Sequence, residues 1–109
     1  MKKYLVIALL GGGITLISYA AADVAAVWTS ECAKCHGAKG AGDTKMGKKL
    51  RIKDYTKAEV QASFTDEEAL KAMKEGIKNE AGTVRMKPVE GLSEEEMKAM
   101  VQYVRSLKQ

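Results

Sequence analysis

The sequence of 109 residues contains few of the residues that usually stabilise a small protein. It has two Cys, one His, one Pro, one Trp and one Phe. These counts exclude a disulfide-rich scaffold and a four-ligand Cys/His zinc site. Because only 6% of the residues are aromatic, the chain can build only a thin core, and we expect a bound group to complete it. The length allows one domain, and the mixture of charges argues against disorder.

Residues 1–22 have the pattern of a secretory signal peptide. Lys2 and Lys3 precede an uncharged stretch, residues 4–22, that ends in small residues. We expect cleavage after Ala20 or Ala22, which leaves a single domain at residues 23–109. The alternative is an uncleaved membrane anchor, because a stretch of this length can just span a bilayer. The predicted location is the periplasm, where thiols are not kept reduced.

Both cysteines and the only histidine lie in the pentapeptide Cys32-Ala33-Lys34-Cys35-His36. The pattern C-x-x-C-H predicts covalent attachment of one c-type haem per chain, in which each thiol adds to a vinyl group and the imidazole binds iron. A plain disulfide does not explain why the histidine adjoins Cys35. A thioredoxin-like motif needs a βαβ context, and we find no strand pattern after Ala22.

The second axial ligand of the iron is expected to be a methionine. Met73, Met97 and Met100 lie at helical spacing with other apolar residues and are expected to pack in the core. Met86 instead lies in a loop just before Pro88, which restricts the backbone there and can present a thioether to a metal. We predict Met86 as the distal ligand, with Met46, in an exposed basic loop, as the alternative.

Short helices separated by loops are predicted for the rest of the chain. Asp23 can cap a first helix that runs to Cys32, and residues 37–53 form a polar loop rich in glycine. Three capping-box patterns follow, in which Ser or Thr precedes Glu by three residues: Thr56 with Glu59, Thr65 with Glu68, and Ser93 with Glu96. The second of these helices is expected to end at Gly76, and the third is the clearest in the chain.

The sequence resembles the class I c-type cytochromes, which are small proteins with one haem. The resemblance rests on Trp28 four residues before Cys32, on CAKCHG, on the segment Met86-Lys87-Pro88 and on the ending LSEEEMKAMVQYVRSL. It implies an all-α, cytochrome c-like fold of four to five short helices around one covalently attached haem. It also implies that His36 is the proximal and Met86 the distal ligand, and that Trp28 meets Tyr103 where the first and last helices cross.

The sequence differs from the family pattern at the first helix, where Val24, Ala25 and Ala26 stand in the stretch that often carries a glycine, and again after the histidine. Some family members have a proline shortly after the histidine, and its carbonyl oxygen accepts a hydrogen bond from the imidazole. That proline is absent here, so a carbonyl group in residues 37–42 is expected to accept the bond. Tyr55 or Arg51 is expected to bind a haem propionate.

An iron with both axial positions filled has no place for a substrate, so we predict a one-electron carrier and not an enzyme. The alternatives are an electron-relay subunit of a membrane redox complex, or a haem enzyme or sensor from which Met86 dissociates.

The segment Lys34–Lys53 carries seven basic and one acidic side chain, a net charge of +6. It is either a solvated loop or the docking site of an acidic redox protein. Nucleic-acid binding is not expected, and we expect a monomer.

Overall fold

The computed structural model describes residues 23–109, so the predicted signal peptide lies outside the described residues. The chain there starts with helix α1 (Val24–Val27), capped as predicted by Asp23, whose side chain accepts hydrogen bonds from the N–H groups of Ala25 and Ala26. A π-helical stretch (Trp28–Cys32) and helix α2 (Ala33–His36) continue it. The first helical segment therefore reaches past Cys32 to His36, and Gly37 ends it with a positive φ of 87°.

The segment predicted as a loop, residues 37–53, contains a helix. Helix α3 spans Lys45–Leu50, and the side chain of Thr44 caps it by accepting from the N–H of Gly47. The prediction failed because Gly47 lowers helix propensity and six residues show no clear period. Met46 therefore lies on a helix and not in a loop, although its side chain is 39% exposed.

The three predicted capping boxes have different outcomes. Helix α5 (Asp66–Glu75) and helix α6 (Glu94–Ser106) begin with the capping boxes predicted at Thr65 and Ser93, and Gly76 ends α5 as expected. The box predicted at Thr56 is wrong, because helix α4 (Ala58–Gln61) begins after Lys57. The hydroxyl and N–H of Thr56 instead donate to the carboxylate of Asp54, which forms a local turn before the helix.

A two-stranded antiparallel hairpin lies between α5 and α6, where no strand was predicted. Strand β1 (Ile77–Lys78) pairs with β2 (Val84–Met86), with Ile77 opposite Met86 and a bulge after Ile77. The strands have two and three residues, too few for an alternating pattern to be recognised. Met86 therefore ends a strand and is not in a free loop.

The core lies where the first helical segment and α5 pack against α6. Its buried side chains belong to Trp28, Met73, Met97, Met100, Val101 and Val104. This confirms the packing role predicted for three of the methionines. The rings of Trp28 and Tyr103 are 5.6 Å apart, so the contact implied by the resemblance is present. Within residues 23–109, no helix is both long enough and apolar enough to cross a membrane.

Candidate haem site

The two cysteines lie on consecutive parts of one helical segment. Cys32 ends the π-helical stretch and Cys35 lies on α2, and both side chains are partly buried, free thiols. Burial raises the pKa of the Cys32 thiol, and the neighbouring Glu31 and Cys35 raise it further. Because the two cysteines are not joined to each other, both sulfurs are available to form bonds to an added group.

The imidazole of His36 is partly buried at the end of the same segment. Burial lowers the pKa of His36, so the ring is neutral at neutral pH, which is the form that binds metal ions. Its ring lies 5.4 Å from that of Tyr55, at an interplanar angle of 20°, and 5.5 Å from that of Trp28. A neutral imidazole next to two free thiols fits a haem attached through sulfur and bound through nitrogen.

The hydrogen bond expected for His36 is not formed. Its Nδ1 atom is buried and has no hydrogen-bond partner among the residues that the structure describes. The carbonyl oxygen of Gly37, inside the range expected to supply the acceptor, instead accepts from the indole Nε1 of Trp28 at 3.0 Å and from the N–H of Gly40 at 3.1 Å. The expectation is wrong, because no carbonyl group of residues 37–42 accepts from Nδ1, and the one nearest in sequence already accepts from two other donors.

Helix α3 packs tightly against the Cys-x-x-Cys-His segment. The hydroxyl of Thr44 donates to the carbonyl oxygen of Cys35 at 2.6 Å. A Cβ atom on Gly47 would lie 2.6 Å from the same oxygen and 2.5 Å from the carbonyl oxygen of Gly42. Only a glycine lets the two backbones approach this closely. Sequence analysis missed this role of Gly47, which only the non-local contact reveals.

Met86 is held in place by its own backbone and by its neighbours. A Cβ atom on Gly76 would lie 2.5 Å from the carbonyl oxygen of Met86, so the strand passes close to the end of α5. Arg85 donates a hydrogen bond to the carbonyl oxygen of Leu50, which connects the strand to α3. The Met86 side chain is partly buried and packs against the same core as Cys32. Met46, the alternative ligand, is one of the more exposed large apolar residues described.

Two free thiols and a partly buried imidazole on one helical segment of a small helical protein are the arrangement that haem-binding proteins of the c type need. The sequence model of the family "Cytochrome c" matches residues 21–108. The chain belongs to the cytochrome c family, and the predicted all-α, cytochrome c-like fold is confirmed. The family carries covalently attached haem c and transfers electrons.

A solved structure, the KustC0563 c-type cytochrome, is similar to this chain. It is 32% identical in sequence, the match covers 80% of this chain and 99% of that one, and the TM-score is 0.67. No curated protein matches the chain.

Proposed function

We propose that this protein is an exported one-electron carrier whose haem is joined to Cys32 and Cys35 and bound by His36 and Met86. The observation that carries the proposal is the arrangement of two free thiols and a partly buried imidazole at the end of one helical segment. When bound, the haem supplies an iron that changes reversibly between Fe(III) and Fe(II). The chain would attach the haem through Cys32 and Cys35 and bind its iron with His36 and Met86.

The choice of Met86 as distal ligand is supported by its packing. Its thioether is partly buried against the core that Cys32 also contacts, whereas Met73, Met97 and Met100 are buried inside that core. A thioether favours Fe(II), so this ligand raises the reduction potential relative to a second histidine. With both His36 and Met86 bound, the iron would have no open position for a substrate, which would separate a carrier from an enzyme.

The ligand assignment is tested by comparing Met86→Ala with Met46→Ala. Met86→Ala should abolish the charge-transfer absorption of the thioether–iron bond, allow the reduced protein to bind CO and lower the potential. Met46→Ala is the matched control and should leave all three unchanged. The assignment is wrong if Met46→Ala produces these effects instead. Rapid CO binding by the reduced wild-type protein would favour the haem enzyme or sensor.

Export to the periplasm is proposed from residues 1–22, and N-terminal sequencing of the protein purified from cells tests it. A start at Ala21 or Asp23 indicates cleavage of a signal peptide. A start at Met1 in a membrane fraction indicates the anchored relay subunit.

An acidic redox protein is proposed as the partner, docking at the basic segment Lys34–Lys53. Lys34, which lies between the two cysteines, lines a shallow depression together with Lys45, Met46 and Lys49. All four ion pairs found within residues 23–109 involve residues outside the basic segment. Its positive charge is therefore not neutralised by those pairs and can attract an acidic surface.

Salt dependence tests the partner proposal. The rate constant for electron transfer with an acidic redox protein should fall steeply as ionic strength rises, because salt screens the attraction. A basic redox protein of similar potential serves as the control, and its rate should rise with salt. A rate with the acidic protein that does not depend on salt would exclude docking at this segment.

A further inference from the structure

A histidine that binds a metal through one ring nitrogen usually donates a hydrogen bond from the other. The imidazole of His36 lacks this second bond among the described residues. Such a bond normally fixes the orientation of the ring and makes it a more basic ligand. Here Nδ1 is buried without a partner among residues 23–109. Neighbouring carbonyl groups already accept from other donors: that of Cys35 from Thr44, that of His36 from Gly42, and that of Gly40 from Tyr55. With no hydrogen bond to Nδ1 among the described residues, contact with neighbouring rings is left to orient the imidazole there.

Tyr55 provides the most parallel ring contact with His36. The two ring centres are 5.4 Å apart and the planes differ by only 20°, whereas the Trp28 ring is tilted by 40°. Two flat rings in this arrangement resist tilting of either one. Trp28 cannot follow His36 freely, because its Nε1 is bonded to Gly37 and its ring also packs against Tyr103.

Tyr55 is itself fixed at both ends of its backbone. Its N–H donates to the carbonyl oxygen of Gly40 at 2.8 Å, and its carbonyl oxygen accepts from Nε2 of Gln61 at 2.7 Å. Gln61 is buried and also donates to the carbonyl oxygen of Val104 on α6, at 2.8 Å. The position of Tyr55 is therefore tied to the last helix, which belongs to the rigid core.

A second connection reaches the Tyr55 ring through Phe64. The Phe64 ring meets Tyr55 edge-on at 5.7 Å, and the guanidinium of Arg105 lies 4.3 Å from the centre of the Phe64 ring. Arg105 also donates to the side-chain oxygen of Gln61 at 3.1 Å and to Asp66 at 2.8 Å. Arg105 thus contacts both residues that position Tyr55, namely Gln61 and Phe64.

We propose that Tyr55 is a positioning residue that orients the His36 imidazole by ring contact, in place of a hydrogen bond to Nδ1. The inference rests on the proposed function, because it takes His36 as an iron ligand. The Tyr55 ring, supported by Gln61 and Phe64, sets the plane of the imidazole. Without an acceptor on Nδ1, His36 is a less basic ligand, which disfavours Fe(III) and adds to the effect of the thioether.

The test compares three variants of the holoprotein: Tyr55→Phe, Tyr55→Leu and Tyr103→Leu. Tyr55→Phe keeps the ring and removes only the hydroxyl expected to bind a haem propionate, a contact that does not set the plane of the imidazole. Tyr103→Leu removes a core ring that contacts Trp28 but is not one of the rings found against His36. The readout is the pattern of haem methyl resonances in the proton NMR spectrum of the oxidised protein, because their hyperfine shifts depend on the plane of the axial imidazole.

Only Tyr55→Leu should change the methyl pattern. It should also lower the potential, because water entering beside the shorter side chain can accept from Nδ1. Tyr55→Phe and Tyr103→Leu should keep the wild-type pattern, although Tyr103→Leu unfolds more easily. An unchanged pattern in Tyr55→Leu, or an equal change in Tyr103→Leu, overturns the proposal.

A second measurement needs no variant and applies if Tyr55→Leu yields no holoprotein. In the reduced, diamagnetic wild-type protein, nuclear Overhauser contacts should connect the ring protons of Tyr55 and His36, and their absence would overturn the proposal. Hyperfine shifts of the His36 ring protons in the oxidised protein establish iron ligation independently. A failure of the ligand assignment is therefore distinguished from a failure of the role of Tyr55.

Discussion

Replacement of Gly47 by Ala tests whether the close approach of α3 to the haem-attachment segment is as tight as the structure shows. Helix propensity alone predicts that Ala stabilises α3 by about 1 kcal/mol. The added Cβ, however, would lie 2.6 Å from the carbonyl oxygen of Cys35 and 2.5 Å from that of Gly42. Both atoms belong to backbone, so the helix must move away as a unit.

The size of the effect follows from the two opposing contributions. Forcing an extra carbon into a packed site costs about 1–3 kcal/mol, and two backbone contacts place Gly47 near the upper limit. After subtraction of the helix-propensity gain, the expected net loss is about 2 kcal/mol. For a domain of this size, that loss lowers the melting temperature by about 8–16 °C.

Urea unfolding of the holoprotein, followed by far-UV circular dichroism, measures this loss. Lys48→Ala is the matched control, because it changes the next residue of the same helix on the exposed side. The control should alter the free energy of unfolding by no more than about 0.5 kcal/mol. A Gly47→Ala protein as stable as the wild type, or more stable, would show that α3 does not pack against Cys35 in this way.

Three further predictions concern helix capping, the core and pH. Ser93→Ala should reduce the free energy of unfolding by about 1 kcal/mol in urea titrations, because it removes the acceptor for the N–H of Glu96 at the start of α6. Met100→Ala should cost about 2–5 kcal/mol in the same assay, because the side chain is 2% exposed and its loss leaves a cavity. A hydrogen bond from Arg105 holds the pKa of Asp66 below its usual value. Ionised Asp66 therefore stabilises the fold above about pH 4, the usual pKa of an aspartate. This contribution to stability is lost as the pH falls through the lowered pKa. Asp66→Asn should therefore unfold at lower urea than the wild type at pH 7, with the difference disappearing in acid; a difference that persists there would show that the charge is not responsible.

Local patterns were sufficient for the parts of the fold that depend on neighbouring residues. The capping boxes at Thr65 and Ser93 and the end of α5 at Gly76 are formed as predicted, because each involves residues within one or two helical turns. The same kind of pattern failed at Thr56. There the nearby carboxylate of Asp54 accepts from both the N–H and the hydroxyl of Thr56, so the hydroxyl does not cap a helix.

Short elements were missed for a different reason. Helix α3 and the hairpin of β1 and β2 are too brief to show a period, and contacts distant in sequence stabilise them. The hydrogen bond from Thr44 to the carbonyl oxygen of Cys35 stabilises helix α3. The hydrogen bond from Arg85 to the carbonyl oxygen of Leu50 helps to stabilise the hairpin. Local propensity is weak compared with such contacts in segments of two to six residues.

The amino-acid sequence by itself determined that the chain attaches haem, because the spacing of Cys32, Cys35 and His36 is a local property of one helical segment. It also determined which methionines pack in the core, since their helical spacing is local as well. Only the tertiary structure decided what surrounds the imidazole. Tyr55 lies nineteen residues after His36, and Gln61 and Arg105, which hold it, are 44 residues apart. Their meeting depends on how α6 packs against the rest of the chain, and no pattern of neighbouring residues encodes that packing.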